Sequence, residues 1–289
     1  MRRRSWRVVA QTFGACLRYR VTGLAAEAAF FALLSLPPLV FGLAGAIGFV
    51  AQRFDVTTVA EFRTQVLDLA SRLLTPTAVN DVLAPTLDDV LFQGRFEIIS
   101  IGFVIALWSG SRAVNVVVDT ITIMYGLAGQ RSILRTRALS FSLYVVFLIA
   151  AVILLPLVLA GPGLVDRALP ARLTLLSYLY WPVVLVGTAA ALAALYHLAV
   201  PVRARWRSGL PGAALTLLLW LGGSALLRLV LGLSIGTTSI YGPLAAPIAV
   251  LLWLYLISLA LLVGAAFNAS LDPGEPRPVS QQMDDVLNK

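Results

Sequence analysis

AAALAALYHLAVPVRARWRSGLPGAALTLLLWLGGSALLRLVLGL (residues 189–233) sets two long apolar runs on either side of a short loop holding Arg203, Arg205 and Arg207. The left run extends back to give 173–200, and the right run is 209–233. A hydrocarbon core about 30 Å thick needs about 20 helical residues, and each run supplies them. Working outward, four more runs meet the same test, at 25–51, 96–118, 138–160 and 242–268. Arginine and lysine fall unevenly between alternate segments. Arg2, Arg3, Arg4, Arg7, Arg18, Arg20, Arg112, Arg131, Arg135, Arg137, Arg203, Arg205, Arg207, Arg277 and Lys289 lie on one side. Arg53, Arg63, Arg72, Arg95, Arg167, Arg172 and Arg228 lie on the other. Basic residues concentrate in cytoplasmic loops, so the pattern predicts an all-α polytopic inner-membrane protein. It has six transmembrane helices and both termini in the cytoplasm.

Composition leads to the same class. Hydrophobic residues make up 59% of the chain and charged ones 12%, with a mean hydropathy of +0.89. A soluble chain of this size has no core large enough for that surplus. The net charge of +8 is spread over helix ends rather than gathered in one stripe, which fits anionic lipid headgroups and not nucleic acid. Cys16 is the single cysteine, which excludes an intramolecular disulfide and cysteine-based metal sites. No small-residue cleavage pattern follows the first apolar run, so that run is expected to persist as a helix.

Within residues 1–24, Trp6, Val9, Phe13 and Leu17 recur at helical spacing among arginines. Two readings stand open here: an amphipathic helix on the cytoplasmic membrane surface, or a simple basic anchor. Residues 25–271 form the six-helix transmembrane domain, and 272–289 a disordered tail. Pro37-Pro38 in the first span removes the donors for the carbonyls of Leu33 and Leu34, which predicts a kink or break with Ser35 beside it. The outer segment 52–95 is expected to form a short helical cap. The uncharged turn 234–243, with Tyr241, either dips into the membrane or closes as an ordinary turn.

Three passages resemble the BrkB/YihY family of bacterial inner-membrane proteins, once called ribonuclease BN. The first is AAEAAFFALLSLPP (25–38); the second runs from WSGSR (108–112) to Tyr125-Gly126. The third holds Arg205-Trp206-Arg207, YGPLA (241–245), LLWLY (251–255) and GAAFNA (264–269). The resemblance covers about residues 20–271 and implies six helices with both termini inside. It further implies an envelope role, linked to serum resistance, virulence and suspected transport of lipids or other solutes. Two positions depart from the common family pattern: Glu27, where small or apolar residues are usual, and Pro37, where an aromatic is frequent.

Charges within apolar spans are the first suspects for function, because lipid makes them costly. Glu27 either pairs with Arg18, Arg20 or Arg203 at the headgroup zone, or lines an inward cavity below Pro37-Pro38. Arg112, Asn115 and Asp119 share one helical face, expected to point into the bundle or at a water-filled vestibule at the cytoplasmic end of the second span. A guanidinium there suits a phosphate, and interhelical hydrogen bonding is the plainer alternative. Arg228 snorkels toward the outer boundary, with Glu97 as a plausible partner. His197 reads as an interfacial residue. Gly222-Gly223 and Gly264-Ala265-Ala266 offer close helix contacts, with Asn268 placed to hydrogen-bond across the latter.

No acid cluster, histidine pair or phosphate loop supports an enzyme, a nuclease or ATP-driven transport. No metal or other cofactor is expected. A transporter or lipid-translocating protein is one reading, and a non-transporting envelope scaffold the other. A solvated cavity reaching Glu27 and Arg112 would favour the first, and a solid bundle with those charges paired would favour the second. Expected partners are membrane lipids with anionic headgroups, with a homo-oligomer left open.

Overall fold

The computed structural model describes residues 2–51, 63–64, 67–68, 79–80, 84–85, 88, 96–160, 174–201, 206–234 and 242–271. Among the described residues the chain is all-helical. The long helices are α1 (Arg2–Arg18), α2 (Val21–Ala51), α3 (Phe96–Met124), α4 (Ile133–Ala160), α5 (Thr174–Ala199), α6 (Leu210–Ser234) and α7 (Gly242–Leu271). A single 3-10 turn, Trp206–Gly209, leads into α6. In lipid, every backbone N–H and C=O must find its partner within the segment, which is why runs this apolar become helices. Five helices, α3 to α7, carry segments long and apolar enough to cross a membrane, and the pair α1–α2, bent by 62°, adds a sixth only if it is counted as one span. At 1.5 Å per residue, the 31 residues of α2 reach about 46 Å, enough to span alone.

Two expectations are corrected. The chain does not break at Pro37-Pro38, because α2 runs unbroken from Val21 to Ala51. Proline's fixed φ is itself helical, so hydrogen bonds on either side can hold the course across two missing donors. Ser35 is buried and spends its hydroxyl on the Ala32 carbonyl at 2.7 Å. The interruption falls earlier, between α1 and α2, where the axis turns by 62°. Arg20 adopts φ +50° there, a left-handed conformation uncommon outside glycine. Its carbonyl then accepts the N–H groups of Gly23 at 2.9 Å and Leu24 at 3.2 Å, opening α2.

The second correction concerns length. α3 continues to Met124 rather than ending near residue 118, so Arg112 lies about 18 Å from its end. Arg112 therefore lies inside the candidate membrane-crossing segment Ile101–Met124 rather than at its end. Removing it from the loop count leaves the basic bias between the two sides in place.

The chain divides into two interleaved compact units: Met1–Ala26, Val114–Leu221 and Ile257–Lys289 in one, Glu27–Ala113 and Gly222–Leu256 in the other. In the first unit, small hydroxyl residues bring helices close. Thr120, Thr122, Ser140 and Thr216 are buried, and each returns its hydroxyl to the carbonyl four residues back at 2.6–2.9 Å. A hydroxyl satisfied within its own helix can be buried at little cost. In the second unit, the buried Ala28 and Ala29 of α2 and the buried Ala106, Ser109 and Ser111 of α3 have the same small size.

Candidate functional site

Within the second unit, Arg112 of α3 meets two residues of α2. Its Nη2 lies 3.7 Å from Glu27 Oε1, and its guanidinium carbon stands 5.6 Å from the centre of the Phe31 ring. Phe30 meets Phe31 edge-on at 5.7 Å between ring centres. A separation of 3.7 Å is too long for a forked hydrogen bond. The two side chains remain 42% and 41% exposed. Such a pair is worth about 0–1 kcal/mol, and an exposed cation–π contact about 0.5–1 kcal/mol. Arg112 is thus oriented but not consumed.

Arg112 also ends a stripe. Ile101, Val104, Ile105 and Trp108 lie at successive turns of α3 and are exposed, and Arg112 continues their face. Of the polar face expected to point into the bundle or at a vestibule, Arg112 stays half-exposed. The packed face of α3 carries Ala106, Val117, Val118 and Ile121, all buried, and lies roughly opposite. Small and branched side chains at those positions allow close helix approach. Asn115 is nonetheless buried and donates from Nδ2 to Asp119 Oδ2 at 2.7 Å, while Asp119 is exposed.

The first unit holds a second polar assembly, between antiparallel α6 and α7. Trp220 Nε1 donates to the Ile257 carbonyl at 2.9 Å. Thr216 Oγ1 lies 2.7 Å from the Tyr196 hydroxyl of α5, which donates to the Leu261 carbonyl at 2.8 Å. Asn268 Oδ1 accepts the Gly212 N–H at 2.6 Å, and its Nδ2 donates to the Gly209 carbonyl at 3.1 Å. Gly212 stands in the first turn of α6, where backbone donors lack helical partners, so Asn268 caps α6 from another helix. Glycine is obligatory at this crossing. A Cβ on Gly264 would collide with Thr216 Oγ1 and come within 2.6 Å of the Tyr196 hydroxyl, and one on Gly212 would strike Asn268 and the Gly264 carbonyl. The small-residue contact expected at Gly264 and the bond expected of Asn268 are both present. Of the other expected small-residue contact, a Cβ on Gly222 would meet nothing within 4 Å, and one on Gly223 would stand 3.8 Å from Leu256 of α7.

A model of the virulence factor BrkB family matches residues 12–285. The chain belongs to the BrkB family. It is also 25% identical over 260 residues, 88% of this chain and 90% of the relative, to the putative ribonuclease-like protein YfkH of Bacillus subtilis strain 168. No solved structure matches.

In this BrkB-family chain the remaining candidates are dispersed. Arg228 is exposed on α6 beside exposed Leu226 and Leu229, while the side chain of its expected partner Glu97 lies outside the described residues. The side chains of Pro37 and Pro38, all of Tyr241, most of 52–95 and the tail from 272 lie outside them too. Arg131 was not singled out by the sequence, yet its guanidinium caps the end of α5. It reaches the Leu198 carbonyl at 3.0 Å and the Ala199 carbonyl at 3.2 Å. Cations at a helix C-terminus satisfy its orphan carbonyls, and a basic residue in the loop after α3 was the available signal. In the segment 52–95, Arg63 forks onto Asp88, with Nη2 at 2.9 Å from Oδ2, and holds that carboxyl below the usual range. Partial burial in α1 pushes the Cys16 thiol up.

Proposed function

We propose that this multi-pass membrane protein binds and translocates an anionic phospholipid, taking the headgroup at Arg112. The observation that carries this reading is the exposed stripe Ile101–Val104–Ile105–Trp108 ending at a half-exposed, loosely paired arginine. From Ile101 to Arg112 is about 16 Å along the helix, which sets Arg112 near the middle of the apolar segment Ile101–Met124, where a crossing headgroup would need a partner. An acyl chain laid on the stripe would bring its phosphate to the guanidinium, which can fork onto two oxygens. Glu27 would be the counter-ion displaced on binding. With both termini cytoplasmic, as the basic bias supports, such a lipid would have the polarity of the inner leaflet of the cytoplasmic membrane.

The mechanism requires no hydrolysis. One histidine, one cysteine and dispersed acids offer no nucleophile–base pair or metal-ligand spacing of the kind a nuclease needs. A second reading, a non-transporting envelope scaffold, has its own support. The Tyr196–Thr216–Gly264–Asn268 contacts join α5 to the first half of α6 and the last half of α7 within one unit. The deciding experiment is flux of a fluorescent phosphatidylglycerol in proteoliposomes. Under the transport reading wild type accelerates exchange, Arg112→Ala loses about tenfold or more, and Arg112→Lys recovers part of it. The loss of one charged hydrogen-bonding partner, about 1.5–3 kcal/mol, sets that scale. Unaccelerated flux with wild-type protein overturns translocation. Equal activity per folded molecule in Arg112→Ala overturns the site.

A further inference from the structure

The helix α1 has three distinct sectors, and the site at Arg112 uses none of them. One sector packs: Thr12 is buried, and its Oγ1 lies 2.8 Å from the Val8 carbonyl and 3.3 Å from Ser270 Oγ in the last turn of α7. The second is apolar and uncovered, with Trp6 at 74% exposure, Val9 at 56%, and Phe13 and Leu17 at 66%. These residues recur at three- and four-residue spacing, so they form one continuous strip along the helix. The third sector holds exposed Arg7, Gln11 and Arg18, with the Arg18 guanidinium 5.8 Å from the centre of the Tyr19 ring.

We infer that α1 is a surface helix that binds the anionic face of the bilayer through this strip and its arginine flank. Four large apolar side chains at successive turns are costly in water and mark an interaction surface. The 62° turn at Arg20 sets α1 across the line of α2 rather than along it. The contact with Ser270 ties it to the end of a membrane-crossing helix, so the bilayer is already the medium beside it. An apolar strip flanked by arginines is the pattern of helices lying in the headgroup zone. Each arginine near an anionic surface adds attraction that salt screens. The partner chemistry is an anionic phospholipid surface, not a protein groove, because the charged flank runs beside the strip for the length of the described side chains.

The test uses the full-length protein with Cys16→Ser, carrying a nitroxide on Phe13→Cys, Leu17→Cys or Gln11→Cys. Each variant is reconstituted in phosphatidylcholine vesicles with and without phosphatidylglycerol. At positions 13 and 17, collision with oxygen should exceed collision with an aqueous nickel chelate, and position 11 should show the reverse. Phosphatidylglycerol should deepen positions 13 and 17, and Arg7→Gln with Arg18→Gln should abolish that increment. Having two strip positions guards against one label disturbing the fold. Equal nickel access at 11, 13 and 17 would place the strip in water and overturn the inference. So would dipolar broadening between labels, which would mean a second copy covers the strip, and so would depths indifferent to phosphatidylglycerol. None of these readings depends on Arg112, so this surface and the headgroup site fail separately.

Discussion

Among the described residues Arg112 meets one carboxylate oxygen at 3.7 Å and one ring face at 5.6 Å, and these leave most of its N–H donors for another anion. Glu27 is then a competitor as well as a positioner, and the two residues should respond oppositely. Glu27→Gln keeps the shape, removes the competing charge and should tighten binding of an anionic lipid. Its effect on thermal stability should be small, within the roughly 0–1 kcal/mol of an exposed pair. Weaker lipid binding in Glu27→Gln, measured by lipid titration of the purified protein, would make Glu27 a structural support of the site. Both charges were legible in the sequence as isolated ions in apolar runs. Their pairing was not, because sequence carries helical periodicity and no register between α2 and α3. Arg20 shows a related limit: its left-handed φ sits on a residue type that gives no local signal for it.

Among the elements, the α6–α7 crossing depends most on individual side chains. Trp220, Thr216, Gly212 and Gly209 meet Ile257, Leu261, Gly264 and Asn268 in antiparallel order. Asn268→Ala would strip the cap from Gly212 and orphan the Gly209 carbonyl, both buried contacts. The expected cost is about 1–3 kcal/mol, seen as lower thermal stability in detergent, while flux per folded molecule stays unchanged. A stability equal to wild type would mean that water or a backbone shift replaces the amide. The sequence showed half of this ladder. Gly264-Ala265-Ala266 with Asn268 near it is a recognisable packing signature, whereas Tyr196 and Thr216 looked like ordinary members of apolar runs. The proline pair does not break α2 for a physical reason: a missing donor weakens a helix but does not end it when the flanking turns hold. The actual turn came where the amphipathic and apolar periodicities meet.

At the scale of the whole molecule, the apolar runs anticipated five helices to within a few residues at most of their ends. Run length decides where helices lie in a membrane protein. α3 overran its expected end where most of Asn115–Met124, Asp119 and Ile123 excepted, is buried by protein, and burial in protein extends a helix as lipid does. Orientation is testable directly. Reporter fusions after Lys289 and within 127–137 should report cytoplasm, and fusions within 52–95 the outer side. A cytoplasmic signal from 52–95 would invert the basic bias and remove the inner-leaflet polarity of the lipid reading. The most direct measurement of the central claim is native mass spectrometry of the full chain, gently extracted from its own membrane, with Arg112→Ala in parallel. The account predicts an anionic phospholipid retained by the wild type and lost from Arg112→Ala at equal folded yield. Retention of the same lipid by both proteins, or no retained phospholipid in the wild type, would contradict it.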